Sequence, residues 1–242
     1  MSRLHLQAVQ TNAQMRASAN NLLDAHDIST PPVNIYQILH DKDIPVDFLP
    51  FSSKVEGIYL KNVTGVGIAI NSNHHPVKKR FTGSHELKHH LHDVPEHGEM
   101  LCSSDFQKWR IEQRANRFAA ELLAPPHFIQ EVIEELVRTE LLTITTLAKV
   151  FHVSYPTIVY RLHTLGYISD GQRDRLLKQN ARQDDKHAAM LLNGNVNAAR
   201  LRMPTLIATL GSANGFSYCS QCSELVYDPA WSICYSCGDH LQ

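Results

Sequence analysis

The chain has 242 residues, 43% of them hydrophobic, and a formal net charge of -1. That is enough apolar material for a sizeable core, and there is no charge surplus to mark the whole chain for nucleic acid. No apolar run approaches the ~18 residues a membrane helix needs, and the opening Met1-Ser2-Arg3-Leu4-His5-Leu6-Gln7 lacks a signal-peptide core, so no membrane partner and a cytoplasmic location are expected.

In chain order, residues 7–25 carry helical apolar spacing, and Pro31-Pro32 stops or redirects the chain. Asn34 is placed to cap a short helix bearing Ile35, Ile38 and Leu39. Ile44 to Leu49 reads as a strand, and residues 55–60 and 63–70 read as a hairpin about Lys61-Asn62. An edge of that sheet could accept an extended chain, or the hairpin could simply cover the helices. His74-His75 then reads as a solvated loop.

The next segment carries chemistry. His85-Glu86-Leu87-Lys88-His89 has the His-Glu-x-x-His pattern of zinc hydrolases. Four residues is about one helical turn, so both imidazoles leave one face and can share a metal. Glu86 is displaced around the helix and suits holding and deprotonating a water. Leu87, Leu91 and Val94 supply a burying face. A solvated His-rich helix is the plainer alternative, since His90, His92 and His97 are close by. A third ligand decides between them. The metzincin pattern fails, because positions 92 and 95 are His and Pro where it needs Gly and His.

On the following helix Ile111, Ala115, Phe118 and Leu122 form an apolar stripe, with Glu112 and Asn116 one turn apart beside it. Small Ala115, Ala119 and Ala120 permit close helix approach. Glu112 is the expected third ligand, with Asn116 supporting a histidine and Glu121 as rival ligand or an ordinary helix-end charge. His92 is expected at the pocket rim or in solvent, because catalytic zinc keeps one position open.

Residues 127–138 read as a helix. Residues 142–162 have helix-turn-helix logic: Thr145 or Thr146 as one cap, Val153-Ser154 as turn, and Ser154 as second cap with Pro156 in the first turn. Tyr155, Thr157 and Arg161 would face outward if the second helix read DNA. Its charge is thin for that, with only Arg161 and His163 to meet phosphates. Residues 161–202 carry eight Lys or Arg against four Asp, read as a solvated helix leading to a linker.

Of five cysteines, Cys102 stands alone and reads as a small apolar side chain. Cys219-x-x-Cys222 and Cys234-x-x-Cys237-Gly238 form two knuckles that supply a tetrahedral four-thiolate site. Four thiolates leave no open position, so that zinc would be structural, and it would largely replace a hydrophobic core.

Pro31-Pro32-Val33, Arg80-Phe81-Thr82 leading into His85-Glu86-Leu87-x-His89, and Glu112-x-x-Ala115-Asn116-x-Phe118-Ala119-Ala120-Glu121-Leu122-Leu123-x-Pro125 together resemble the ImmA/IrrE family of metallopeptidases over roughly residues 14–168. Lys88 departs from the Gly often found there, at a position that can point away from the metal. The resemblance implies a zinc endopeptidase that cuts a helix-turn-helix repressor and so derepresses a mobile element or stress response. It also favours a structural role for residues 142–162.

The expected fold is therefore α+β: a zincin-like metallopeptidase core with a small β-sheet (1–125), a helix-turn-helix-like segment (126–170), a helical or linker segment (171–213) and a zinc ribbon (214–242). Two zinc ions are expected, one catalytic on His85, His89 and Glu112, one structural on Cys219, Cys222, Cys234 and Cys237. His127, Tyr155, Tyr160 and Arg161 are candidate oxyanion stabilisers. Rival readings are a DNA-binding regulator that senses zinc, and a toxin–antitoxin or phage interaction protein with a vestigial site. The presence of Glu86 speaks against both.

Overall fold

The computed structural model describes residues 12–63, 65–93, 106–179, 217–218, 225–226, 232–234, 238 and 240. Expectations for Cys102, Cys219, Cys222 and Cys237, and for residues 180–213, lie outside that range. Helix α1 (Asn12–Ala25) buries Met15, Ala19, Leu22 and Leu23, one face at helical spacing. Helix α2 (Ile35–Asp41) starts where Asn34 was expected to cap it, its side chain accepting from the Gln37 amide at 3.3 Å.

Strands β1 (Val46–Leu49), β2 (Gly57–Asn62) and β3 (Gly65–Asn71) form a sheet of order β1-β3-β2. β2 and β3 are the expected hairpin, with Tyr59 opposite Ile68, and β1 runs parallel to β3. Ile68 and Ile70 of β3 and Tyr59 of β2 are buried. Helix α3 (Pro76–His92) lies against β2 and β3 and packs on α4 (Phe106–Leu123), which α1 covers. His75 is more than a solvated loop residue: its ring accepts from the Val77 amide at 3.3 Å and caps α3, with Pro76 in the first turn.

Helices α5 (Pro126–Arg138), α6 (Ile144–Phe151), α7 (Tyr155–Thr164) and α8 (Asp170–Lys178) follow. Their apolar faces, from Phe128 to Leu176, join the same core cluster as α1 and the sheet. The cap of α6 is Thr143, not Thr145 or Thr146. Its extended backbone lets the hydroxyl reach the Thr146 amide at 2.8 Å. His152 then turns the chain in a left-handed conformation (φ 50°), and Ser154 caps α7 as expected.

Two short strands, β4 (Ser217–Tyr218) and β5 (Leu225–Val226), pair antiparallel. Residues 232–233 dock on the start of α2: Asn34 Nδ2 donates to the Ile233 carbonyl at 2.7 Å, and Gln37 Oε1 accepts from the amides of Ser232 and Ile233.

Candidate metal centre

The ligand candidates meet where α3 crosses α4. His85 Nε2 lies 2.9 Å from Glu112 Oε2 and 3.1 Å from His89 Nε2, and His89 Nε2 lies 3.6 Å from Glu112 Oε1. The three residues are grouped so that they could hold a metal ion. Donors about 2.0–2.1 Å from a tetrahedral zinc would stand roughly 3.3 Å apart, close to these separations.

Proton accounting points the same way. His85 Nδ1 lies 2.9 Å from Asn116 Oδ1, and His89 Nδ1 lies 2.7 Å from Asp93 Oδ2. Both oxygens accept, so both Nδ1 atoms carry hydrogen. In the neutral form each ring turns the lone pair of Nε2 inward, towards a carboxylate that can only accept. Three acceptors facing one point call for a cation. Protons on Nε2 of the two rings can take that cation's place: burial alone would raise the Glu112 carboxyl, but hydrogen bonds and charge from protonated His85 and His89 outweigh it and hold the group far below the usual carboxylate range.

Glu86 points from α3 toward β2 and is 2% exposed. Burial raises its carboxyl above the ordinary value, against the opposing pull of His85 and His89, and Oε2 has no hydrogen-bond partner. Gly57 of β2 makes room for it. A Cβ there would stand 2.5 Å from Thr82 Cγ2 and 3.1 Å from Glu86 Oε1.

Sequence reasoning missed Asp93, which ends α3 and receives both His89 Nδ1 and Lys88 Nζ. The four-residue spacing His89–Asp93 was the available sign. Lys88 is fully buried, its charge met by Asp93. His92 is half-buried rather than free in solvent: its Nε2 lies 2.8 Å from Ser18 Oγ of α1, and its ring meets Phe118 edge-on.

One further expectation is corrected, and one alternative loses its footing: Glu121 is no ordinary helix-end charge, and Arg161 does not face outward as a DNA-reading α7 would need. Arg161 is 3% exposed, donates through Nη1 to Glu121 Oε1 at 2.8 Å and through Nε to the Ala124 carbonyl at 2.7 Å, and so ties α7 to the end of α4. A charged side chain at that depth needs a partner, and Glu121 supplies it. Arg161 is thereby committed to Glu121 and Ala124 and drops out as a candidate oxyanion stabiliser. Of the other candidates, His127 is exposed against the Phe128 ring, and Tyr160 is 54% exposed.

No curated protein matches the chain. Among solved structures it is similar to a Mycobacterium tuberculosis transcriptional regulator, at 17% identity and a TM-score of 0.47, covering 66% of this chain and 49% of that one. The chain thus spans about half the length of that structure. Residues 40–163, just over half of the chain, match the family described as peptidase M78, IrrE N-terminal-like domain. That stretch contains the motif helix, Glu112 and the Arg161 anchor, and the chain belongs to this ImmA/IrrE metallopeptidase family.

Proposed function

We propose that the chain is a zinc-dependent endopeptidase with its metal on His85, His89 and Glu112. The observation that carries this reading is the convergence of three acceptor atoms beside a buried, unpartnered Glu86 oxygen. When bound, zinc supplies Lewis-acid polarisation of a peptide carbonyl and lowers the pKa of water. Glu86 takes a proton from the attacking water on Oε2 and returns it to the leaving amine. Asn116 and Asp93 hold the imidazoles in the tautomer that offers Nε2.

The substrate we propose is a separate helix-turn-helix repressor, an inference that rests on family membership. A structural zinc on Cys219, Cys222, Cys234 and Cys237 is proposed from spacing. Supporting it, Cys234 is buried and the Gly238 amide bonds back to its carbonyl at 2.9 Å. A DNA-reading role for α7 finds little support, since Arg161 is spent on Glu121.

The test is cleavage of co-expressed repressor candidates by wild type and Glu86→Gln. A single cut that disappears in the variant supports the reading. An equal rate in both would remove Glu86 from the chemistry and the reading with it.

A further inference from the structure

A cleft of about 560 Å³ opens between α3, α4 and α7, lined by Phe81, Asn116, Arg117, Ala120, Pro156 and Tyr160 among others. It adjoins the support of the metal centre rather than the ligands themselves: Asn116 is both a cleft wall and the partner of His85 Nδ1, and Phe81 lies one turn before His85 on α3. Apolar Phe81, Ala120 and Pro156 give it grip, and polar groups give it direction.

Its charge is one-sided. Two arginines and no carboxylate line it among the described residues. The neighbouring Glu121 is shared by three guanidinium groups: Arg161 donates to both oxygens, Arg16 Nε donates at 3.3 Å, and Arg117 Nε stands 3.9 Å off. Arg117 Nε is buried and has no hydrogen-bond partner, while its side chain is 32% exposed. Three positive groups around one carboxylate leave a surplus on the cleft wall, and Arg117 is the least satisfied of them. A guanidinium in that state selects a carboxylate, which it can take in two parallel hydrogen bonds.

We propose that the α4–α7 cleft is a specificity subsite for the polypeptide substrate and that Arg117 reads an acidic side chain near the scissile bond. This rests on the peptidase reading. The occupant is an acidic segment of substrate, because the cleft is open to solvent, is lined by two arginines and no carboxylate among the described residues, and shares Asn116 with the support of His85. Arg117 acts on recognition and touches no reacting atom.

The experiment uses zinc-loaded full-length Glu86→Gln protein and fluorescent capped decapeptides. The peptides are matched sets in which Glu, Gln or Lys occupies each position in turn on a constant apolar–polar background. Binding is read by fluorescence polarisation at low salt. In at least one register the Glu peptide should bind about tenfold tighter than its Gln twin, with Lys weakest. That preference should collapse in Glu86→Gln/Arg117→Gln, and Arg117→Glu should favour Lys. Equal binding of Glu and Gln peptides, absence of saturable binding by every set, or a preference that survives Arg117→Gln would overturn the proposal. The peptidase reading is judged separately by wild-type cleavage, so the two can fail independently.

Discussion

Each imidazole of the proposed metal centre is held from behind by a residue one turn away or on the next helix, and those supports place hydrogen on Nδ1. Asp93 has the larger task, since it also meets the buried ammonium of Lys88. Asp93→Asn should weaken zinc affinity about 10- to 100-fold in chelator competition, with His85, His89 and Glu112 intact. An unchanged affinity would mean that the His89 ring is oriented by packing alone. The clustering of His85, His89 and Glu112 was legible because helical spacing alone puts residues 85 and 89 on one face, and 112 and 116 on another. Asp93 was not, since its role depends on where α3 ends. The partner of Arg161 was hidden for a related reason: a lone arginine on a short amphipathic helix gives no sign of a carboxylate 40 positions earlier.

At the scale of elements, two contacts decide how the site is assembled. β2 approaches α3 so closely at Gly57 that a methyl group there would collide with Thr82 and crowd Glu86. Gly57→Ala should cost about 1–3 kcal/mol in chemical denaturation and push the strand away from Glu86. A neutral result would show that the strand can shift freely. The Glu121–Arg161 pair fixes α7 against α4 inside the core. Glu121→Gln would leave a buried guanidinium without its countercharge, so we expect a loss of about 3–5 kcal/mol. A loss below about 1 kcal/mol would mean that Arg161 escapes to solvent through the cleft. The hairpin, the Asn34 and Ser154 caps and most helix spans could be read from sequence, because local chemistry dictates them. Thr143 displaced Thr145 and Thr146 as the cap of α6 because the first residue of the turn is set by the packing of Leu142 and Ile144.

Among the described residues the core is continuous from α1 to α8 and reaches Ile233, which docks on the start of α2. Tyr36 of α2 links the two ends: it packs edge-on against Phe48 and lies near Gly83 of α3 and Gly238. Stability should also carry a pH signature from His152, whose burial, with Arg80 nearby, pushes its pKa down to about 3. The unfolded chain takes up that proton near pH 6.5 and the folded protein does not. Stability is therefore fully present above about pH 6.5 and falls progressively as pH drops towards about 3. Between about pH 7 and pH 5 the loss from this group is on the order of 1–2 kcal/mol. His152→Asn, which tolerates the left-handed turn, should flatten the urea-midpoint profile over that window. Parallel profiles would assign the acid sensitivity elsewhere.

The central claim is that α3 and α4 together hold a metal. The direct measurement is zinc per chain, by mass spectrometry or elemental analysis, in purified wild type, His89→Ala and Cys234→Ser. The account predicts about two zinc ions in wild type and about one in each variant, with wild-type zinc retained in Glu86→Gln. An unchanged count in His89→Ala would contradict it, and the central helix would then be a histidine-rich support rather than a catalytic site.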